Sequence, residues 1–332
     1  MEQPQLPAYT NPLLENGDGL PGTHWNDPHV LQIDDQFVMY ASADIDWDGF
    51  VRIYRLTSTD GFAWNLSPTT PVFEKSATGW DSHGTETPAV VFFQGQYHLF
   101  YTGYDVTYDY TAIGADNIWG TFDDDSAIKH FKIGHAVSND GITFTRQPFV
   151  VEPTDPYAVP NLDFHQSVVG EPAPVVFNNK LYLYFTAIGA HAEVNSTWQV
   201  IGLMTSADGA TWDTPRPVLK PDLTVYPRDQ YIGYSTPNAV ALGGALHLYF
   251  DVALDAPWTQ AKLHHAVSND GESNWIQDRA PLLGREDYSW TTAEIRSPSA
   301  LVQGNQMYLY FAGHVMTPEI NLAIGLEILP LP

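Results

Sequence analysis

The stretch Glu171-Pro172-Ala173-Pro174-Val175-Val176-Phe177-Asn178-Asn179-Lys180-Leu181-Tyr182-Leu183-Tyr184-Phe185 reads as a Pro, a short β-rich run, a turn and an aromatic-rich strand. Four other stretches share this layout. They run from Asp27-Pro28 to Phe37-Val38-Met39-Tyr40, from Thr87-Pro88 to Tyr97-His98-Leu99-Phe100-Tyr101, from Thr236-Pro237 to Leu246-His247-Leu248-Tyr249-Phe250, and from Ser297-Pro298 to Met307-Tyr308-Leu309-Tyr310-Phe311. In every copy the aromatic strand begins nine residues after the Pro (28 to 37, 88 to 97, 172 to 181, 237 to 246, 298 to 307). A fixed internal register of this kind marks a repeat architecture.

A second element follows four of the copies. It is Ser58-Thr59-Asp60-Gly61 ending at Trp64, Ser138-Asn139-Asp140-Gly141 ending at Phe144, Ser206-Ala207-Asp208-Gly209 ending at Trp212, and Ser268-Asn269-Asp270-Gly271 ending at Trp275. Asp-Gly between β-rich runs signals a hairpin turn, because Gly accepts the positive φ such turns require. The aromatic that follows is expected to pack between neighbouring sheets. Pro-to-Pro spacings are 60, 84, 65 and 61 residues (88−28, 172−88, 237−172, 298−237), so the second unit carries an insertion.

The fifth copy has no Ser-x-Asp-Gly element and ends after Leu322-Ala323-Ile324-Gly325-Leu326-Glu327-Ile328. The other units close with Pro71-Val72-Phe73, Pro148-Phe149-Val150, Pro217-Val218-Leu219 and Pro281-Leu282-Leu283, and the N-terminus offers a matching Pro12-Leu13-Leu14. The expectation is an all-β chain forming one domain over residues 1–332. It is read as a five-bladed β-propeller with about four antiparallel strands per blade. The segment near residues 11–15 supplies the last outer strand and closes the ring, removing exposed edges. A β-sandwich pair or a β-helix also has many short strands, but neither accounts for a fifth unit lacking the strand that the N-terminus carries.

Composition narrows the partners. The chain has 332 residues, 44% of them apolar, no Cys and a formal charge of −25. Disulfides and thiolate metal sites are excluded. So negative a field repels nucleic acid and anionic membranes, whereas a neutral sugar is not repelled. There is no run of about 18 apolar residues that would suggest a membrane span. The opening MEQPQLPAYT lacks the basic-then-apolar pattern of a secretory leader, and secreted, periplasmic and cytoplasmic placements stay open.

In a propeller the innermost strands border a central tunnel, and the residues at their starts gather at its mouth. Immediately before the Pro stand Asp27, Thr87, Glu171, Thr236 and Ser297, and one place earlier stand Asn26, Glu86, Gly170, Ser235 and Arg296. Three carboxylates and one Arg are thereby expected to converge. Like charges so placed are costly unless used. Glycoside hydrolysis uses two carboxyl groups, one protonated at the leaving oxygen and one ionised on the opposite face of the sugar. A third nearby raises the pKa of the acid. Arg296 is a candidate to orient substrate or to hold one carboxylate ionised.

The five repeats, the early His24-Trp25-Asn26-Asp27-Pro28 and a Glu opening the third blade resemble the five-bladed propeller glycosidases of glycoside hydrolase family 43 and its relatives in families 32, 62, 68, 117 and 130. The resemblance covers nearly the whole chain and implies an enzyme. In family 43 a first-blade Asp is the base that activates water with inversion, a third-blade Glu is the acid and a second-blade Asp tunes that acid. Carried over, Asp27 is the base, Glu171 the acid and Glu86 the tuning group. In the family the second-blade Asp follows the Pro, where this chain has Ala89, and the acid sits two places before the Pro, whereas Glu171 sits one before Pro172. Asn26-Asp27-Pro28 also resembles the nucleophile motif of the retaining family 32 fructosidases. That family adds Arg-Asp-Pro at the second blade, where this chain has Thr87-Pro88, and Glu-Cys near the third, and this chain has no Cys.

The resemblance further implies a His at the tunnel that helps hold a hydrated calcium ion. No spacing motif selects one, and His165 and His314 are the candidates. No cofactor is required beyond that structural ion. Asn26, Ser235 and Arg296 at the ring, His83 beside it and the aromatic rings of Trp25, Trp119 and Trp290, with Trp80, are candidates to bind sugar. The leading expectation is an inverting exo-glycosidase acting on plant or algal oligosaccharides, with arabinofuranosides and xylosides first. Alternatives are a carbohydrate-binding propeller without activity, a retaining fructosidase-like enzyme, and a phosphorylase or transglycosidase.

Overall fold

The computed structural model describes residues 9–15, 23–44, 48–106, 127–155, 163–190, 197–222, 224, 233–254, 261–315 and 321–332. These residues are all-β apart from two 3₁₀ turns. The first unit is an antiparallel sheet of β1 (Thr23–Ile33), β2 (Gln36–Asp44), β3 (Arg52–Ser58) and β4 (Asn65–Leu66) in chain order. The second is β5 (Gly84–Phe93), β6 (Gln96–Tyr104), β7 (Lys132–Ser138) and β8 (Thr145–Arg146). The third, β9 (Val168–Phe177), β10 (Lys180–Ala190), β11 (Thr197–Ser206) and β12 (Arg216–Leu219), repeats the order. So does the fourth, β13 (Gly233–Leu242), β14 (Ala245–Ala253), β15 (Lys262–Ser268) and β16 (Ile276–Gln277). A parallel pairing of Gln199 with Gly233 links these two sheets. The fifth has β17 (Ile295–Gln303), β18 (Gln306–Val315) and β19 (Asn321–Pro330).

The first strands of the units lie side by side: β1 against β5, β5 against β9, β9 against β13, β13 against β17, and β17 against β1. The sheets are thus arranged consistently with a propeller. The second strand of each unit is buried on both faces, as in β2 where every residue after Gln36 is buried. Near-continuous apolar sequence is what a strand between two packed layers requires.

The Ser-x-Asp-Gly elements form the turns expected of them. In the first, Ser58 Oγ accepts the N–H groups of Asp60 and Gly61, and Asp60 Oδ1 accepts those of Phe62 and Ala63. The same bonds recur around Ser138, Ser206 and Ser268. The aromatic after each turn lies edge-on to an aromatic in the second strand of the neighbouring unit: Phe144 on Tyr40, Trp212 on Phe100, Trp275 on Tyr184 and Trp64 on Tyr310. Three of these Tyr residues also donate their hydroxyls to the Gly carbonyl of the same turn, Tyr40 to Gly141, Tyr184 to Gly271 and Tyr310 to Gly61. Edge-to-face pairs of this kind add about 0.5–1.5 kcal/mol each beyond their burial.

At the outer edges, Ile53 bridges Phe73, Ile133 bridges Val151, Ile201 pairs with Leu219 and Leu263 bridges Leu283. At the matching position of the fifth unit, Ile324 bridges Leu14. Leu14 is buried, and Asn11 adds two bonds to the backbone of Leu326, giving Nδ2–H to its carbonyl (2.8 Å) and accepting its N–H (2.9 Å). The N-terminal segment therefore pairs where the sequence pattern places it.

Candidate functional site

Each first strand breaks register at its Pro, between Asn26 and His29, Glu86 and Ala89, Gly170 and Ala173, Ser235 and Asn238, and Arg296 and Ser299. These five bulges share one conformation. Asp27, Thr87, Glu171, Thr236 and Ser297 have φ of 49°, 49°, 54°, 44° and 51°. Non-glycine residues, β-branched ones above all, seldom accept that region, and a residue before Pro is normally pushed to extended backbone. Bulges bend a strand and re-aim its side chains, and strain of this kind gathers at functional sites. Here the five bulges line one pocket, with Pro28, Pro88, Pro172, Pro237 and Pro298 at its wall.

A second ring holds the first in place. Opposite Asn26, Glu86, Gly170, Ser235 and Arg296 stand Ser42, Thr102, Thr186, Asp251 and Ala312 of the second strands. Ser42 Oγ accepts the N–H of Thr87 (2.9 Å), Thr102 Oγ1 that of Glu171 (2.9 Å) and Thr186 Oγ1 that of Thr236 (3.0 Å). Each hydroxyl thus satisfies the bulged backbone of the next unit. In the fourth unit the place belongs to Asp251, which accepts hydroxyls from Ser235 and Thr236, while Thr236 Oγ1 takes the N–H of Ser297.

The carboxylates meet above this frame. Asp27 Oδ1 accepts the hydroxyl of Ser297 (2.8 Å). Glu171 Oε2 accepts the hydroxyl of Thr186 (2.6 Å) and the N–H of Thr236 (2.9 Å), and its Oε1 lies 3.2 Å from Arg296 Nη2. Arg296 also faces Glu294 (Nη1 to Oε1, 3.8 Å), and Glu294 in turn pairs with His314 Nδ1 at 3.0 Å. Burial raises the pKa of Asp27, against the charge of Arg296 and the donors Ser297, Ser42 and the Thr87 N–H. Burial raises that of Glu171 too, opposed by Arg296, reinforced by Asp251, and opposed again by Thr186 and Thr236. Glu86 is pushed up to about 8, first by burial, then by the charges of Asp27 and Glu171, with Arg296 and a hydrogen bond from Tyr104 acting the other way. Burial disfavours the charge of Arg296, but Glu294, Glu171, Asp251 and Asp27 together hold it above its ordinary pKa.

Asp27, Glu86, Glu171 and Arg296 therefore converge as the register predicts, with Asn26 and Ser235 in the same ring. Other expected residues lie elsewhere. Trp25 is fully buried in the core of the first unit, edge-on to Tyr54, and presents no face to a sugar. Trp290 lies flat on Phe311 over Gly313 and Gly325, where a Cβ would fall 2.3 and 2.6 Å from its ring. Trp80 does the same on Tyr101 over Gly103. Both pack in this way while only half-buried, and the stacking role is corrected for Trp25, which is fully buried. An apolar ring large enough to suit a sugar is also what a glycine-floored groove between strands needs. His83 sits edge-on to Phe50 (4.9 Å) and beside Tyr104 (6.0 Å), the residue that bonds Glu86. Trp119 lies outside the described residues.

The two candidate metal ligands each pair with a carboxylate. His165 is paired with Asp163 (2.7 Å) on the loop before β9, and His314 with Glu294. Among the described residues no group of three or more His, Asp or Glu is arranged to hold a metal ion. His29, which sequence reasoning left without a role, lines the pocket with Nε2 on the Val90 carbonyl (2.8 Å), and burial holds its pKa down at about 4. Asp251 was also missed. Its signal was in the chain, fourteen places after the Pro, where Ser42, Thr102 and Thr186 stand in other units (28 to 42, 88 to 102, 172 to 186, 237 to 251). Glu294 and Tyr104 carry no such mark.

No protein-family model matches the chain, and no curated protein matches its sequence. Solved structures do. A thermostable family-43 glycoside hydrolase aligns at a TM-score of 0.68 and 15% identity, over 98% of this chain and 94% of its own. A mutant α-L-arabinanase from Cellvibrio cellulosa aligns at 0.62 and 14%, over 94% and 92%. A β-1,2-mannobiose phosphorylase from Listeria innocua aligns at 0.63 and 11%, over 92% and 90%. The chain has their fold. The resemblance to family 43 read from the repeats thus extends over nearly the whole length at the level of architecture. A shared fold hosts several chemistries, so the reaction rests on the residues of the ring.

Proposed function

We propose that this protein is a glycoside hydrolase of the family 43 type, a single five-bladed propeller closed by its N-terminal segment, acting on neutral plant or algal oligosaccharides. The bulges of five sequence units line one pocket, and Leu14 pairs with Ile324 at the outer position taken elsewhere by Phe73, Val151, Leu219 and Leu283, which supports five blades and that closure. The observation that carries the activity is the meeting of Asp27, Glu86 and Glu171, from three separate units, about one Arg.

In this reading Asp27 takes a proton from the water that attacks the anomeric carbon, and a Glu of the neighbouring units protonates the departing oxygen. The resemblance gives that second role to Glu171. Inversion requires the two carboxyls about 6.5–9.5 Å apart. Sugar hydroxyls have partners waiting: Asn26 Oδ1, Arg296 Nε and His314 Nε2 are buried and make no hydrogen bond among the described residues. Such atoms are costly to bury unless a ligand or water meets them. The arabinanase among the solved structures makes arabinofuranosides the first substrates to try, with xylosides next. Phosphorolysis calls for several cations around the phosphate, and the ten residues at and just before the bulges contribute Arg296 alone.

The test is a panel of aryl glycosides and of arabino- and xylo-oligosaccharides, with NMR of the first-formed anomer. Inverted product from one sugar class is the expected result. Tight sugar binding without turnover would make the protein a lectin-like propeller, and retention would favour the fructosidase-like mechanism.

A further inference from the structure

We propose that Glu86 is the general acid and that Glu171 is an ionised partner that holds Arg296 and the ring in place. This rests on the hydrolase reading above and exchanges the roles that the resemblance gives the two residues.

The argument begins with the hydrogen atoms around Glu171. Its Oε2 already receives two, from the Thr186 hydroxyl and the Thr236 N–H, and its Oε1 faces the guanidinium of Arg296. Burial and the charge of Asp251 raise its pKa, and all three donors work against them in favour of the carboxylate. A proton on Oε1 would stand against Arg296, and one on Oε2 would displace a donor at 2.6 or 2.9 Å. Glu171 is placed to accept hydrogen bonds from its surroundings as a carboxylate, not to hold a proton for a glycosidic oxygen.

Glu86 has the opposite setting. It occupies the register position that Arg296 holds in the fifth unit, and Arg296 shows that a long side chain there reaches Glu171 on the pocket wall. In ring order it stands between Asp27 and Glu171, and both of their charges oppose its ionisation. Arg296 favours the ionised form of Glu86, but its one charge is shared with Asp27, Glu171, Asp251 and Glu294. Like charges this close leave one group protonated. The Tyr104 hydroxyl holds the side chain in place. The groups that face it are therefore Asp27, Glu171, Arg296 and Tyr104.

The step balances without a co-reactant. The Glu86 carboxyl gives its proton to the glycosidic oxygen as the anomeric C–O bond breaks, water adds to the anomeric carbon, and Asp27 takes the proton from that water. A free sugar and an alcohol leave, and solvent returns the two carboxyls to their starting states.

The experiment compares wild type, Glu86→Gln and Glu171→Gln on two aryl glycosides of the preferred sugar, one with a 2,4-dinitrophenyl and one with a 4-methoxyphenyl leaving group. The first needs little protonation and the second needs it fully. Glu86→Gln should lose about 10³-fold or more in kcat/KM on the methoxyphenyl glycoside and less than about 10-fold on the dinitrophenyl one, a range set by general acid catalysis. It should also lose the alkaline limb of the wild-type pH profile. Glu171→Gln should lose similar factors on both, with that limb intact, and circular dichroism checks that both variants fold. Leaving-group dependence in Glu171→Gln but not in Glu86→Gln would overturn the assignment and leave the hydrolase reading standing. A wild-type protein that cleaves neither glycoside, nor any other of the panel, would overturn both.

Discussion

The four Ser-x-Asp-Gly turns at the rim and the five X-Pro bulges at the axis both repeat, but they repeat different things. At the rim, residue and conformation recur together, because Ser58, Asp60 and their counterparts each satisfy nearby backbone N–H groups, and Gly61 and its counterparts, at φ of 68–83°, take the positive φ. At the axis the conformation recurs while the residue changes, from Asp to Thr to Glu to Thr to Ser. A turn that only has to fold can settle on one solution. The bulges hold side chains in backbone that Gly would accept at less cost, at roughly 1 kcal/mol or more each, and Gly stands at none of them. Retaining a side chain against that cost is what a site does.

The largest expected effect lies at the axis. Asp27→Asn should lower kcat by about 10³–10⁵-fold with substrate affinity within an order of magnitude, while the melting temperature stays level or rises. The rise is expected because burial already works against the Asp27 charge. A variant that melts early and loses activity only in proportion to unfolding would make Asp27 a framework residue, no different from those at the rim.

The opposite split is expected at the edge of the fifth sheet and in the turn of the fourth unit. Leu14→Ala should cost about 3 kcal/mol, since Leu14 is 2% exposed and carries the segment that pairs with Ile324. Gly271→Ala should cost about 2 kcal/mol. Its φ is +71°, and a Cβ there would fall 2.3 Å from Leu246 Cδ1 and 2.7 Å from the Tyr184 hydroxyl. Both costs are read from denaturant unfolding. In both variants kcat and KM of the folded fraction should match wild type, and a change in kcat would mean that the rim and the axis are coupled.

The same contrast explains what the sequence disclosed. The turns were legible because they bond to their own neighbours in the chain, whereas the partners of the aromatics after them, Tyr310, Tyr40, Phe100 and Tyr184, needed three dimensions. Asp27, Glu86, Glu171 and Arg296 were legible only through the register, which converted positions hundreds of residues apart into neighbours. The positive φ was not legible, since a residue before Pro is expected to be extended. Asp251 is visible once the second strands are aligned, but Glu294 and Tyr104 act from strand ends that no repeat marks. Trp25 misled because a ring that would suit a sugar also suits a buried core, where it packs on Tyr54.

A pair of features between these extremes gives the smallest test. In the second unit His98 stacks on His135 (Nδ1 to Nε2, 3.0 Å), and in the fourth His247 stacks on His265 (2.9 Å), while the third unit has Tyr182 and Leu203 at these places. This packing recurs in two units and is absent from a third, so it belongs to neither the rim nor the axis. Burial, and then the neighbouring His98, drive the pKa of His135 down to about 3. The unfolded chain binds a proton there near pH 6.5 and the folded chain does not. His135 therefore leaves stability untouched above pH 6.5 and favours unfolding progressively as the pH falls toward 3. Replacing it by Gln should cost stability at pH 7 through lost packing, yet shrink the loss between pH 7 and pH 5 by about 1–2 kcal/mol. Urea unfolding at the two pH values reads both. An unchanged pH dependence would mean that His135 already titrates in the folded protein, and the pair would then be a hydrated feature instead of part of the packed sheet.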